Sequence, residues 1–278
     1  MANLVVEAKA QDFNFVTKFE ANVQHLLDVL GKTSVQIVAP GTALKVYETS
    51  GTISGAAVAE KALIPDSGIA VGDATTLEIS YQKYRNLTGI ESIGKFGYDL
   101  AVGKTNEDML KQIQNKVRAT ILEGLDVAGA STATGANFQA AIAAAAGKVA
   151  EKFEAEVATP VFFVNPSDLY AYLGSHNVTL ESEFGLSYLK NFMGIGNVIA
   201  DSNVAAGTLF GTAVENLTVV APSIASIPGM ELTTDASGII GVHNDALYEN
   251  GAVQTVAYCG LCVHPAFEDR IVKATIGA

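Results

Sequence analysis

The stretch that most constrains how this chain can fold runs from residue 50 to residue 73, SGTISGAAVAEKALIPDSGIAVGD. On either side of it, TALKVYET and TTLEISYQKY alternate apolar and polar residues, which predicts two strands. The stretch between them is too long for a tight hairpin turn and too poor in large apolar side chains to build a core. The sequence therefore predicts a long two-stranded arm that extends from the body of the protein.

Two further segments predict long helices. The first, residues 12 to 30, ends before Gly31, a residue that can close a helix. Its apolar residues at helical spacing are Phe13, Val16, Phe19, Val23, Leu26, Leu27 and Leu30. The second, residues 105 to 129, begins with a capping-box-like Thr105 and Asp108, and at 1.5 Å per residue it would be about 37 Å long. Its apolar face consists of Leu110, Ile113, Val117, Ile121 and Leu125. An alanine-rich helix, ANFQAAIAAAAGKVAEKF, follows.

The segment TPVFFVNPSDLYAYLGS predicts a buried strand that leads directly into a helix. Asn165 occupies the N-cap position, Pro166 the first helical position, and Asp168 the first turn, where a carboxylate complements the helix dipole. From residue 231 onward the sequence predicts successive strands, with turns at Asn244-Asp245 and Asn250-Gly251.

Composition narrows the possible functions. Hydrophobic residues make up 49% of the 278 residues and charged residues 17%, which leaves neutral and apolar surface available for a partner. The net charge of −12, without a run of Lys and Arg, argues against sequence-specific nucleic-acid binding. The N-terminal sequence lacks the pattern of a signal peptide, and no apolar run approaches the roughly 20 residues of a membrane helix. We expect a soluble chain made in the cytoplasm.

Two motifs that suggest chemistry are explained better as structure. GYDLAVGKT has five residues between its first Gly and its Gly-Lys pair, whereas a phosphate-binding loop has four, so an ordinary helix start capped by Thr105 is predicted. Cys259, Cys262 and His264 lie in YCGLCVH, whose flanks are strand-like, and no second cysteine pair exists. We read both cysteines as small residues of a buried strand, and we predict no catalytic, cofactor-binding or metal-binding residues.

The order of these parts resembles the major capsid proteins of tailed bacteriophages, the Hong Kong 97 fold. The resemblance covers essentially the whole chain and is strongest in VFFVNPSDLYAYL. It implies an α+β fold with an N-terminal arm (1–36), an extended β-hairpin loop with flanking strands (37–92), and a peripheral domain with a long spine helix (93–150). An axial domain (151–235) and C-terminal strands that return to both domains (236–278) complete it.

The resemblance also implies a function and partners. The chain would be a structural protein without catalytic activity, assembling in the host cytoplasm into hexamers and pentamers of an icosahedral virion shell around DNA. In this family the extended loop lies over an adjacent subunit, which makes Lys45, Lys61, Asp66, Lys83 and Arg85 candidates for inter-subunit ion pairs. Because the chain begins almost directly in the arm, a separate scaffolding protein is expected, together with a portal protein.

Two alternatives stay open at this stage. An encapsulin-type nanocompartment shell protein shares the fold but encloses protein cargo. A soluble α/β enzyme that uses Cys259 and Cys262 belongs to a different class, and bound metal or a lowered thiol pKa would support it.

Overall fold

The computed structural model describes residues 2–39, 41–51, 55, 57–58, 60–63, 67–127, 129–154, 157–176, 178–183, 186–224 and 229–277. The α-helices of these residues are α1 (Ala2–Leu30), α2 (Ile90–Phe96), α3 (Tyr98–Leu125), α4 (Phe138–Lys152) and α5 (Pro166–Leu173). The first eight strands are β1 (Gln36–Val38), β2 (Ala43–Ser50), β3 (Ala70–Glu78), β4 (Gln82–Gly89), β5 (Ser131–Gly135), β6 (Pro160–Val164), β7 (Glu181–Glu183) and β8 (Leu186–Phe192). The others are β9 (Gly196–Ala200), β10 (Thr208–Ala213), β11 (Leu217–Pro222), β12 (Thr233–Thr234), β13 (Ile240–Leu247), β14 (Ala252–Cys259), β15 (Cys262–Pro265) and β16 (Val272–Ile276).

The strands of the described residues form four sheets. The largest has the order β5-β16-β10-β6-β9-β8-β7, and the other three have the orders β12-β13-β14-β4, β1-β11-β15 and β2-β3. Parallel pairing joins β1 to β11, β5 to β16 and β6 to β9, whereas the remaining pairs are antiparallel. The mixture of helices with mainly antiparallel sheets confirms the predicted α+β class.

The seven-stranded sheet separates two hydrophobic cores. Successive residues of β6 contribute to different cores: Phe162 packs with Ile142 and the rest of the buried face of α4, whereas Phe163 packs with the core that contains α1 and α3. This is the alternation that a strand buried on both faces requires. The prediction of a buried strand at residues 160 to 164 is confirmed.

The N-terminal helix α1 begins ten residues earlier than the sequence pattern predicts and ends where expected. Gly31, at φ 72°, closes it, and the N–H of Lys32 donates to the carbonyl of Leu27 over 2.8 Å. Val16, Phe19 and Leu26 are buried as predicted. Phe13 was placed wrongly: it is 65% exposed, and Phe15 is buried instead.

The long helix α3 begins earlier than the sequence predicts. The helix begins at Tyr98, after Gly97 at φ 84°, so Thr105 is an interior residue and not a cap. The Thr105 hydroxyl bonds to the carbonyls of Ala101 and Val102 and lies 2.8 Å from the hydroxyl of Thr88 on β4. The Gly-Lys-Thr segment is therefore helical, and the predicted apolar face from Leu110 to Leu125 is buried.

Asn244 does not form the predicted turn, because it lies buried inside β13. Its side-chain amide donates to Asp12 on α1 over 2.5 Å, and its Oδ1 contacts the hydroxyl of Thr255 on β14. That hydroxyl also lies 2.9 Å from Oδ1 of Asn106 on α3. The chain reverses later, at residues 248–251, where Gly251 adopts φ 54°. The four side chains join α1, α3 and the four-stranded sheet.

The predicted two-stranded arm is confirmed, although its second strand ends earlier than the sequence pattern predicts. β2 and β3 pair antiparallel, with Tyr47 opposite Ala74. β3 ends at Glu78, and the chain enters the four-stranded sheet as β4 after a short link. In that link Ile79 is buried, and the Tyr81 hydroxyl donates to the carbonyl of Ser223 over 2.8 Å. These contacts fix the root of the arm on the body.

Two glycine-to-alanine substitutions test this packing. A Cβ at Gly196 would lie 1.9 Å from the Pro160 carbonyl oxygen, so Gly196→Ala should lower the stability of the fold by several kcal/mol, as overpacked sites do. Gly147 is exposed in the interior of α4 with no atom within 4 Å of such a Cβ. Gly147→Ala should therefore raise stability by about 0.5–1 kcal/mol. Urea unfolding followed by circular dichroism measures both, and equal effects would contradict the described packing.

Candidate functional site

The strand-to-helix corner at residues 164–168 is built as scaffold. The Asn165 side chain accepts from the N–H of Ser167 over 2.8 Å and donates to the carbonyl of Val204 over 2.6 Å. Asp168 accepts from the N–H of Gly207 over 2.7 Å. Both polar side chains at the corner therefore satisfy backbone groups of neighbouring loops, as predicted for a structural N-cap.

The two cysteines lie at a junction between sheets and not within one strand, which corrects the prediction. Cys259 ends β14 in the four-stranded sheet, and Cys262 begins β15 in the three-stranded sheet. Gly260 allows the break, because a Cβ there would lie 2.4 Å from the Pro222 ring and 2.9 Å from the carbonyl of Ser80. His264 lies farther along β15, and burial lowers its pKa.

The thiols have the opposite of the pKa shift that nucleophilic catalysis needs. Burial raises the pKa of Cys259 to about 12, and burial also raises the pKa of Cys262. A catalytic cysteine is instead activated by cationic surroundings that lower its pKa. Among the described residues, no group of three or more His, Cys, Asp and Glu side chains is placed to hold a metal ion.

A cavity of about 420 Å³ lies between the N-terminus of α4 and helix α5, and its polar side chains are already engaged. The ring of Tyr172 stacks on Phe138 with centroids 5.0 Å apart, and on His176 with centroids 4.1 Å apart. The Tyr172 hydroxyl accepts from Gln139 over 2.7 Å. These contacts hold α4 and α5 together.

The candidate inter-subunit residues fall into two groups. Lys45 lies exposed on β2, and Lys61, at φ 68°, lies exposed in the segment that joins the two strands of the arm. Asp66 lies outside the described residues. Lys83 and Arg85 lie not on the arm but on β4, at the edge of the four-stranded sheet. The structure therefore separates residues that the sequence placed in one region.

The arm exposes large apolar side chains to solvent. Tyr47, Ile69 and Val71 are each more than half exposed, and Leu63 is 94% exposed. An isolated two-stranded ribbon is marginally stable at best in water. The arm is therefore a part of the described chain that a partner would stabilise. No described helix is both long and apolar enough to cross a membrane.

Comparison with known proteins identifies the architecture. Neither a family model nor a curated protein matches the sequence. Among solved structures, the capsid of a native GTA particle matches with a TM-score of 0.59 at 12% identity, covering 91% of this chain and 90% of that one. The capsid of cyanophage A-1(L) matches with a TM-score of 0.56 at 13% identity, covering 90% and 92%. This chain has the Hong Kong 97 capsid fold.

A virus-like particle from Pyrococcus furiosus also has this fold, with a TM-score of 0.53 at 16% identity, covering 92% of this chain and 99% of that one. The Hong Kong 97 architecture therefore accounts for nearly the whole length of both chains. The fold predicted from the order of elements is confirmed.

The two cysteines pack in the interior of this fold, and alkylation can test their burial. At pH 8 a thiol whose pKa is about 12 is thiolate in only about one molecule in 10⁴, so iodoacetamide should leave Cys259 unmodified in the folded protein. Half-buried Cys262 should react first, and 8 M urea should expose both. Mass spectrometry of the tryptic peptides reports each site. Rapid native alkylation of Cys259 would contradict its burial and reopen the thiol-enzyme alternative.

Proposed function

We propose that this chain is the major capsid protein of a tailed bacteriophage, a structural subunit that assembles with copies of itself into the icosahedral shell of the virion head. One observation carries this proposal: the fold of nearly the whole chain is that of capsid subunits. The exposed apolar arm adds support, since it is surface that a monomer in water would not favour.

The elements take the following parts in the proposed shell. Residues 1–36 form the N-terminal arm, 37–92 the extended loop with its flanking strands, and 93–150 the peripheral domain, with α3 as spine helix. Residues 151–235 form the axial domain, and 236–278 return to both. Because α1 packs with α3 in one hydrophobic core, the N-terminal helix belongs physically to the body. Lys45, Lys61, Asp66, Lys83 and Arg85 are the proposed inter-subunit contacts.

The electrostatics of the chain suit a container for DNA. A net charge of −12 disfavours strong adhesion of packaged DNA to the inner wall, so DNA is enclosed without sequence-specific binding. Assembly takes place in the host cytoplasm. A scaffolding protein and a portal protein are the proposed partners that set shell size and provide the entry for DNA.

The proposal does not include catalysis. The two cysteines have raised pKa values, and the polar side chains of the strand-to-helix corner are bonded to backbone groups. These features support a structural role over the thiol-enzyme alternative.

Assembly is tested on the purified full chain, alone and co-expressed with a scaffolding protein. Light scattering and negative-stain electron microscopy should show rings of five and six subunits or closed shells. A monodisperse monomer that responds neither to concentration nor to a scaffolding partner would overturn the proposal. Nuclease and protease treatment then identify the contents of particles made during infection: DNA supports a phage head, whereas protein cargo supports an encapsulin-type shell.

A further inference from the structure

A cavity of about 360 Å³ lies at the point where the arm joins the body. Its walls are helix α3, the link that contains Ile79 and Ser80, the start of β4, and the junction from Cys259 to Cys262. Sites for small molecules in proteins have volumes of about 300–1,000 Å³. We call this space the arm-root cavity, and its size is sufficient for a small ligand.

The inner wall of the arm-root cavity is apolar. Ile79, Val117 and Leu261 line it, and each of them is at most 5% exposed. The half-buried side chain of Tyr84 also lines the cavity, and its hydroxyl makes no hydrogen bond within the described part of the chain. The wall therefore offers apolar contact to a hydrocarbon group, together with one polar group that is not already engaged.

Two opposite charges stand at the rim of the arm-root cavity. Lys116 and Glu123 are exposed residues of α3, and neither forms an ion pair with another described residue. They are seven residues apart, which is two helical turns or about 10 Å along the axis, so both lie on the same side of the helix. Burial, and secondly the negative charge of Glu123, raise the pKa of Cys262, which places Glu123 near the Cys262 thiol.

We propose that the arm-root cavity binds a small linear zwitterion, an ω-amino acid, whose carboxylate pairs with Lys116, whose ammonium group pairs with Glu123, and whose hydrocarbon chain lies against the apolar wall. Six carbons nearly span the two turns of helix that separate the charges, and the flexible lysine and glutamate side chains cover the remaining distance. The site goes beyond the proposed function, because all of its residues belong to one chain. A ligand there touches both α3 and the link at Ile79 and Ser80, so it connects the root of the arm to the body.

The length of the ligand is the first test. Saturation-transfer NMR titrations of the purified full chain compare glycine, 4-aminobutyrate and 6-aminohexanoate. Affinity should rise along this series, and 6-aminohexanoate should bind with a Kd of about 1 mM, the scale expected for so few atoms. Hexanoate and hexylamine have the same chain but one charge each, so each should bind about threefold more weakly, as the loss of an exposed ion pair predicts. Equal binding of glycine and 6-aminohexanoate would overturn the inference.

Reversal of the two charges is the sharper test, because a linear zwitterion can bind in either direction. Lys116→Glu alone, or Glu123→Lys alone, leaves two like charges at the rim and should weaken binding of 6-aminohexanoate about fivefold. The double variant Lys116→Glu/Glu123→Lys restores one charge of each sign and should restore binding. A double variant as weak as the single variants would contradict the proposed ion pairs. Circular dichroism should show the same fold in every variant, since both positions are exposed.

The thiol of Cys262 locates the ligand. Because Cys262 lines the arm-root cavity, saturating 6-aminohexanoate should slow its reaction with a thiol-specific methanethiosulfonate reagent several-fold. An unchanged rate of labelling would place the ligand elsewhere and overturn the inference. These measurements need no assembled particle. Failure of binding therefore leaves the proposed function intact, and failure of assembly leaves this inference intact.

Discussion

The packing of α1 and α3 against the four-stranded sheet is the interaction on which the rest of the structure depends. The buried face of α3, including Ile113 and Leu125, shares one hydrophobic core with Leu26 and Leu30 of α1. The root of the arm attaches to this same unit, through Ile79 and then β4. The arm is therefore continuous in sequence with a strand of the sheet on which these helices pack.

Hydrogen bonds between buried polar side chains fix the position of α1 and α3 on the sheet, because apolar packing alone would allow the helices to slide. Asp12, Asn244, Thr255 and Asn106 are buried and hydrogen-bonded across α1, the sheet and α3. Burial raises the pKa of Asp12, although hydrogen bonds from the Asn244 side chain and backbone oppose that shift. Buried polar groups are costly unless they are paired, so such a network favours one register of the helices on the sheet.

The sequence predicted the helices and the arm well, because their evidence is local and periodic. The apolar face of α3 and the alternation in β2 are each visible in the order of residues. The start of α3 was missed because Thr105 and Asp108 imitate a capping box, while the actual start depends on the positive φ of Gly97. Likewise, Asn244 is of a residue type that is common in turns, but its side chain donates a hydrogen bond to Asp12, which is 232 residues away along the chain.

The edge strand β4 shows the same limit. The separation of Lys83 and Arg85 from the arm could not be predicted, because the alternating pattern of TTLEISYQKY runs without a visible break through the end of β3 and the start of β4. Their common face depends on pairing with β14, more than 150 residues further along. Long-range pairing of this kind leaves little local signal, so functional surfaces built from it require the fold.

We propose that the body of this chain folds alone, whereas its arm is ordered by neighbouring subunits. Hydrogen–deuterium exchange of the dissociated subunit and of the assembled particle tests this directly, with the amides of α3 as internal reference. We expect residues 43–50 and 70–78 to exchange quickly in the subunit and slowly in the particle, whereas α3 should exchange slowly in both. Equal exchange of the arm in subunit and particle would contradict it.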